Sequence, residues 1–280
     1  MNCAACGQKV PDSSRHCPGC QNDCGFPNVR AADRPDEQAA LRSRVDIAEV
    51  SSRARNCESN LKDFGKAVLN SKAVFCRNLS SVVNLVSSDS ALYSNFYKQI
   101  EGEIRLPEDN RIDQSRVAVD GMMFPNYAKH VCFAALSLSG LGPTAWGPYS
   151  IELKENMTEL RSSTFEENSV LFCQTKHHLT VGDPVPPGFR ASWHRRGDLA
   201  MAKLHARIDL KTASDQYHEI LLSNGSAILA DFIEVHIWGP IHRSAIERVV
   251  GPKPKSREDK VLWKSLKAKL EDMGSKLEST

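Results

Sequence analysis

Two Cys-x-x-Cys pairs near the N terminus constrain this chain more than any other feature. Cys3 and Cys6 form the first pair, Cys17 and Cys20 form the second, and ten residues separate the pairs. Each pair fits on a tight turn, so that four thiolates can meet one ion in the closed tetrahedron of a structural zinc site. Because so short a segment buries little core without metal, zinc binding and folding are expected to be one event. The spacing predicts a zinc ribbon over residues 1–25.

The remaining cysteines and the apolar runs indicate a reducing compartment. The chain has nine cysteines in 280 residues, and Cys24 and His16 are expected to lie just outside the metal ligands. The four cysteines beyond Cys24 are scattered, as is typical of reduced thiols. The apolar runs are far shorter than the roughly 20 residues of a membrane helix, and the first residues lack the apolar core of a secretory signal. The sequence therefore predicts a cytoplasmic protein without a membrane partner.

Composition divides the rest of the chain into three segments. Residues 30–106 are predicted to be a helical segment, with helices expected at 66–86 and 89–104 from their apolar content and spacing. Residues 107–250 mix strand and helix patterns, and residues 251–280 form a basic linker followed by an amphipathic helix. The predicted fold class is α+β. A formal net charge of +2 gives no overall argument for nucleic-acid binding.

Several elements are expected within the α+β segment. Strands are predicted at residues 129–138, 149–153 and 168–173, and a helix at 197–210. Asn224-Gly225 is the strongest hairpin signal in the chain, with one strand expected on each side of it.

A charged residue inside an apolar strand is the most suggestive sign of chemistry. In the stretch from Asp231 to Gly239, Glu234 and His236 point to one side of the strand, and the aliphatic residues between them point to the other. A carboxylate in such a position is costly unless it is paired or used. Two interpretations are open, one in which Glu234 is a structural residue facing water or an arginine, and one in which it is catalytic.

The surroundings of Glu234 resemble the last part of mono-ADP-ribosyltransferase toxins. Glu234 is followed by Gly239-Pro240-Ile241 and a short predicted helix at 245–249, and His130 opens a strand about 100 residues upstream. The resemblance implies a split β-sheet domain with a C-terminal helix, and NAD as co-substrate. With its zinc ribbon, the chain is similar to the RNA-modifying toxin of anti-phage toxin–antitoxin–chaperone systems. That similarity implies an RNA acceptor and an antitoxin or chaperone partner.

The resemblance also implies roles for individual residues. Glu234 would hold the ribose 2′-hydroxyl and stabilise the oxocarbenium-like ribose that forms when nicotinamide leaves. His130 would bind the adenosine ribose, and Tyr149 would stack on nicotinamide, which gives the preferred triad His130–Tyr149–Glu234. A second version of the triad, with Arg116 and Ser137 beside Glu234, stays open.

Three further residues complete the implied NAD site. Ser137 lies between the proposed catalytic residues, Arg161 would pair with the pyrophosphate, and Phe165 would lie beside the dinucleotide. Phe232 departs from the family, since members that modify protein arginine carry Gln or Glu two residues before the glutamate. Protein arginine is therefore not the expected acceptor. The alternative function is a non-enzymatic zinc-ribbon protein that binds a protein or nucleic-acid partner.

Overall fold

A computed structural model of the chain describes residues 1–93, 97, 111–227 and 230–280, with the side chains of 111–114 left out of the description. Residues 2–23 form the ribbon, in which the isolated bridges Asn2–Lys9 and His16–Asp23 join the arms of two small turns. None of the helices within the described ranges combines the length and the hydropathy that a membrane span needs.

Nine α-helices follow the ribbon within the described ranges. They are α1 (Pro27–Ala32), α2 (Pro35–Ala54), α3 (Glu58–Val68), α4 (Leu79–Leu85), α5 (Arg111–Met123), α6 (Ser169–Leu171), α7 (Arg196–Leu204), α8 (Tyr217–Leu221) and α9 (Arg257–Asp272). Pro35 at the first helical position and acids in the first turn open α2, as the helix dipole favours.

Ten strands alternate with these helices along the described chain. They are β1 (Lys72–Arg77), β2 (Leu92–Tyr93), β3 (Val131–Ser137), β4 (Tyr149–Leu153), β5 (Ser162–Phe165), β6 (Arg190–Ser192), β7 (Glu234–Trp238), β8 (Ile241–His242), β9 (Ile246–Gly251) and β10 (Lys276–Ser279). Eight of them form one sheet in the order β10-β9-β4-β1-β3-β7-β5-β6, and β2 pairs with β8. Neighbours in the large sheet are antiparallel, apart from the parallel pair of β9 and β10.

The two faces of this sheet differ in chemistry. Along β7 and the residue before it, Ile233, Val235 and Ile237 join the main hydrophobic core, to which α2, α3, α7 and α9 contribute. Glu234 and His236 point to the opposite face. There a second, smaller core forms beneath α5 and α6 from Val119, Met123, Phe124, Tyr127, Val131, Phe165, Phe172 and Cys173. The alternation read from the sequence is therefore confirmed, and it separates an aliphatic face from a face with buried charge.

The expectation of a helix over 66–86 is wrong at its centre. Residues Lys72–Arg77 form β1, which pairs with β3 on one side and β4 on the other. Phe75 packs in the main core while Val74 and Cys76 are buried on the other face. A strand buried on both faces has no alternation, so its short apolar run cannot be told from a helix by period. The large sheet thus takes strands from three of the segments predicted from composition.

Two other predicted elements are also wrong. Residues 168–173 are not a strand, because the Asn168 side chain accepts hydrogen bonds from the amides of Val170 and Leu171 and starts α6. The segment before Asn224-Gly225 is the helix α8, and a single bridge between Ser223 and Asp231 takes the place of the expected hairpin. The predicted helix at 89–104 lies largely outside the described residues, and its described part contains the strand β2.

The short helix expected at 245–249 is also wrong, because these residues lie mainly in the strand β9, which is held between β4 and β10. One element of the family resemblance is therefore a strand in the structure. The remaining expectations agree with the structure. Strands β3 and β4 lie within the predicted 129–138 and at 149–153, the helix α7 occupies the first part of 197–210, and the α+β class is confirmed. A final strand, β10, was not expected. It pairs in parallel with β9 and brings the last residues of the chain into the sheet.

The C-terminal helix packs on the sheet domain through its apolar side. The Ser256 hydroxyl accepts the Asp259 amide and caps α9. Leu266 and Leu270 are fully buried in the main core, and Trp263 packs against Tyr149 with ring centroids 5.7 Å apart. The helix is thus an integral part of the domain.

Replacement of Leu266 by alanine tests this docking. We expect Leu266→Ala to lower the free energy of unfolding by about 2–5 kcal/mol, since it removes buried contacts and leaves a cavity. Val261, on the same helix, is 65% exposed, so Val261→Ala should change the free energy by less than about 0.5 kcal/mol. Urea unfolding followed by circular dichroism measures both, and equal effects would contradict the docked position of α9.

Candidate functional site

The four predicted metal ligands lie together in the ribbon. The Sγ atoms of Cys3, Cys6, Cys17 and Cys20 are all within 4.8 Å of one another. The Cys3–Cys20 and Cys6–Cys17 sulfur pairs are 3.6 and 3.5 Å apart. A tetrahedron with Zn–S bonds of about 2.3 Å has edges of about 3.8 Å. The cluster therefore has the shape to hold a zinc ion.

The surroundings shift the pKa values of the thiols in this cluster in different directions. Backbone amides of Ala5 and Cys6 lower the pKa of Cys3 to about 6. The Gln8 amide lowers the pKa of Cys6, but the neighbouring sulfurs of Cys20 and Cys17 outweigh it and raise that pKa to about 12. Four close sulfurs cannot all be thiolates unless a cation compensates their charge, so the site is suited to a metal ion.

One arginine attaches the ribbon to the rest of the chain. The Arg30 guanidinium, on α1, donates to backbone carbonyls of Pro11, Asp12, Ser14, Cys24 and Gly25. Its five donors suit such a convergence of carbonyl oxygens. Next to it, Phe26 lies under the guanidinium of Arg15 and 6.4 Å from the Trp238 ring at the end of β7. The ribbon therefore lies against one end of the sheet.

Glu234 occupies the first position of β7 and is 2% exposed. The strand register sets Ala135 of β3 opposite it on one side and Phe165 of β5 on the other. Its Oε2 atom accepts the Ser169 amide at 3.1 Å and lies 3.0 Å from His236 Nε2. The carboxylate is thus held between the strand that carries it and the start of α6.

Helix α5 brings a second charged pair to the same carboxylate. Arg116 Nη1 lies 4.0 Å from Glu234 Oε1, and Arg116 Nε donates to Asp120 Oδ2 at 3.2 Å. The same Asp120 oxygen accepts the Tyr97 hydroxyl, also at 3.2 Å. The Arg116 guanidinium lies 3.7 Å from the centre of the Phe133 ring, a favourable cation–π position. Arg116 therefore lies beside two buried carboxyl groups, those of Glu234 and Asp120.

The surroundings shift the pKa values of Glu234 and Asp120 in opposite directions. Burial raises the pKa of Glu234, but the hydrogen bond from His236 and the charge of Arg116 outweigh it, and the pKa lies below its ordinary value. Burial also raises the pKa of Asp120, which Arg116 only partly offsets. Neighbouring carboxyl groups whose pKa values shift in opposite directions are a feature of acid–base sites. In this site the surroundings of Glu234 favour its ionised form.

His236 is enclosed by aromatic rings. It meets Phe124, Phe133 and Phe165 with ring centroids 4.8, 5.5 and 5.8 Å away. Its backbone carbonyl accepts a hydrogen bond from the Asn28 side chain at 2.9 Å, and Asn28 also donates to the Arg161 carbonyl at 3.1 Å. Asn28 belongs to α1, so the helix that carries the ribbon is bonded directly to β5 and β7.

The structure does not bring His130, Tyr149 and Glu234 together. His130 is exposed and stacks on Trp238, with ring centroids 5.1 Å apart. It lies five residues before Ala135, the residue opposite Glu234, so that about 17 Å along the strand direction separates His130 from Glu234. Tyr149 is three strands from β7, about 14 Å away, and its hydroxyl donates to the Pro252 carbonyl. The three residues of the preferred triad therefore lie apart, with His130 and Tyr149 towards one end of the sheet and Glu234 towards the other.

The other implied NAD residues have different surroundings. Ser137 donates to the Leu141 carbonyl at 2.7 Å and lies on the same face of β3 as Ala135. Arg161 donates to the carbonyls of Met157, Trp238 and Pro240, which engages its guanidinium within the protein. Phe165 is fully buried beside Glu234, in the second core.

The open alternative involving Arg116 agrees better with these positions, because Arg116 and Glu234 are neighbours. Sequence analysis missed Asp120, Tyr97 and Asn28 as members of the cluster. The i,i+4 spacing of Arg116 and Asp120 on a helix was the available signal that these two side chains pair with each other. Nothing local linked either residue to Glu234.

Comparison with protein-family models found no matching family, and a search of curated proteins found no matching relative.

Metal analysis tests the cysteine cluster. We expect about one zinc ion per purified chain, because four clustered thiols form a closed structural site. Cys17→Ser should lose the metal, whereas Cys57→Ser, at a buried cysteine outside the cluster, and Cys24→Ser should retain it. Inductively coupled plasma mass spectrometry provides the readout, and zinc retained by Cys17→Ser would contradict the assignment.

The acid dependence of stability tests the charge on Glu234. Since its pKa is lowered in the fold, the ionised form stabilises the protein above the unfolded pKa of about 4.3, and this contribution is lost as the pH falls through the folded pKa. At pH 7 we expect Glu234→Gln to be less stable by about 1.5–3 kcal/mol. Urea unfolding from pH 7 to 3.5 should show this difference shrink below about pH 4.3, whereas a difference that grows would mean that Glu234 is protonated.

Proposed function

We propose that this chain is an NAD-dependent mono-ADP-ribosyltransferase that modifies RNA. The observation that carries the proposal is the ionised carboxylate of Glu234, fixed on the charged face of a mainly antiparallel sheet by His236 at 3.0 Å and Arg116 at 4.0 Å. A fixed negative charge of this kind is what the developing positive ribose requires. A cytoplasmic antitoxin or chaperone that restrains the activity belongs to the same proposal.

The reaction exchanges one bond at the ribose. The bond between nicotinamide N1 and ribose C1′ breaks, and its electron pair leaves with nicotinamide. An acceptor oxygen or nitrogen of RNA then bonds to C1′ and releases its proton to solvent. The transition state resembles that of glycoside cleavage, with positive charge on the sugar. Glu234 would stabilise that charge and accept a hydrogen bond from the ribose 2′-hydroxyl.

The positions of the side chains favour Arg116 and Ser137 as partners of Glu234. Arg116 already pairs with the carboxylate. Ser137 lies two residues beyond Ala135, which is directly opposite Glu234, and therefore points to the same face. His130 lies at the end of the sheet and would contact a more distant part of the dinucleotide. Tyr149 packs in the main core, on the face opposite to Glu234, and therefore has no direct contact with NAD in this proposal. Arg161 and Phe165, which are engaged within the fold, have a supporting role in this proposal.

Access to Glu234 requires a local movement of α6. The carboxylate is 2% exposed, and the Ser169 amide at the start of α6 occupies its Oε2 atom. A ribose hydroxyl would replace that amide as the donor. The following residues, Phe172–Lys176, form a π-helical turn, a feature frequent at functional sites. The proposal therefore assigns α6 and this turn as the segment that opens for NAD.

The burial of Glu234 also favours a second candidate function. A carboxylate whose oxygens already have partners can be a purely structural ion pair. In that case the chain is a non-enzymatic zinc-ribbon protein that binds a protein or nucleic-acid partner, and Glu234 contributes only to folding.

Nicotinamide release separates the two functions. Purified wild type should release nicotinamide from NAD, faster with bulk RNA, and Glu234→Gln should reduce the rate at least about 100-fold, as loss of a main electrostatic group does. Glu152→Gln is a matched control, since Glu152 is also a buried strand glutamate, paired with Arg248 at 2.8 Å. It should keep the activity.

Ser137→Ala provides a second variant in case Glu234→Gln folds poorly, and we expect it to lower the rate without unfolding the sheet. Thermal unfolding is measured for every variant. Absence of turnover in folded, zinc-loaded wild type with RNA, DNA and cell lysate as acceptors would exclude the transferase and favour the binding protein.

A further inference from the structure

The linker before α9 and the first part of that helix carry positive charge that the proposed chemistry does not use. Residues 252–270 hold seven Lys and Arg and two acids, a net charge of +5, whereas the whole chain has +2. The last turn adds Glu271 and Asp272, so α9 by itself has five basic and four acidic residues. The rest of the protein is therefore slightly acidic. A basic segment on an otherwise acidic molecule creates a local positive potential, which attracts anionic partners.

Four of these basic residues form one line on α9, and we call them the basic ridge. At 100° per residue, Arg257, Lys260, Lys264 and Lys267 fall within an arc of about 80° and extend over about 15 Å of the helix. All four are exposed. The acids of the first turn, Glu258 and Asp259, lie outside this arc, whereas Glu271 lies within it, one turn beyond Lys267.

The ridge has few charge partners of its own. Within the described part of the chain, no carboxylate lies within 4.0 Å of Arg257, Lys260 or Lys264, and Lys267 has only Glu271 at 3.7 Å. Some exposed lysines elsewhere are paired, such as Lys62 with Glu58 at 2.8 Å and Lys66 with Asp63 at 3.2 Å. The ridge thus offers several uncompensated cations at helical spacing.

The way α9 is held makes this ridge rigid. Leu266 and Leu270 are fully buried, so the opposite side of the helix is fixed to the sheet domain. After the helix, the Ser275 hydroxyl donates to the Ile246 carbonyl at 2.8 Å and β10 joins the sheet. The lysine stems are therefore presented from a fixed backbone, which lowers the entropy that a partner must offset.

The packing of α9 on the sheet domain favours nucleic acid over a membrane surface as the anionic partner. A helix that binds a membrane surface inserts its apolar side into the lipid, but here that side is buried in the protein's own core. A line of fixed cations instead matches the regular charges of a nucleic-acid backbone, which lysine and arginine neutralise with release of counterions.

We propose that the basic ridge of α9 binds the phosphate backbone of RNA and so holds the acceptor strand on the protein. This inference rests on the proposed function for the choice of RNA, but the charge and packing that carry it do not depend on Glu234. The linker that leads to the ridge passes Tyr149, whose hydroxyl donates to the Pro252 carbonyl, and Trp263 of α9 packs on the same ring. The ridge would therefore guide RNA along the end of the sheet at which Tyr149 and His130 lie.

Salt-dependent binding tests the ridge. Fluorescence anisotropy with a labelled 20-nucleotide single-stranded RNA of mixed sequence is measured for the zinc-loaded full chain between 50 and 200 mM salt. Four phosphate contacts predict a slope of log K against log salt near −2.8, since each contributes about −0.7 on single strands. Lys260→Gln/Lys264→Gln should weaken binding several-fold and make the slope shallower by about 1.4.

Lys62→Gln/Lys66→Gln is the matched control, because it removes the same charge from an i,i+4 pair on the exposed side of α3. It should bind RNA like wild type, and so should Glu234→Gln, which separates this test from nicotinamide release. Equal losses in the two lysine variants would overturn the proposal. So would tighter binding to DNA of the same sequence, to phosphatidylserine vesicles or to polyglutamate.

Discussion

The register between β3 and β7 is the constraint on which the rest of the structure depends. It directs Val235 and Ile237 into the helical core, and the two-residue period of a strand then forces Glu234 and His236 to the other face. A charge buried there is costly without a partner. Helix α5 supplies that partner in Arg116, so the packing of α5 on this face is tied to the aliphatic packing on the other.

The zinc ribbon and the charged face are physically connected through α1. The Arg30 guanidinium binds the ribbon, and Asn28, two residues earlier on the same helix, donates to the carbonyl of Arg161 just before β5 and to that of His236 in β7. A metal that folds the ribbon therefore also fixes the helix that is bonded to the strand of Glu234. This gives the ribbon a structural role within the domain, whichever partner it meets outside.

The two proposed functional features lie on different sides of the sheet. Glu234 belongs to the charged face, whereas α9 packs on the aliphatic face and presents its basic ridge outwards. They meet only near the end of the sheet, where Tyr149 contacts both Trp263 of α9 and the Pro252 carbonyl. An RNA strand held by the ridge would thus have to turn around this end to reach the carboxylate. The arrangement favours an acceptor that is single-stranded and bends easily.

Local patterns in the sequence determined the four-cysteine cluster, the α+β class, the two faces of β7 and the amphipathic C-terminal helix, because each depends on spacing within one element. The sequence could not reveal β1, since a strand buried on both faces shows no period, nor that Asn168 starts a helix where a strand was expected. Only the tertiary structure decided that Arg116 and Asp120 meet Glu234 while His130 and Tyr149 lie apart from it. The reason is that strand order and helix packing are set by contacts between residues far apart in the chain, and no local spacing encodes them.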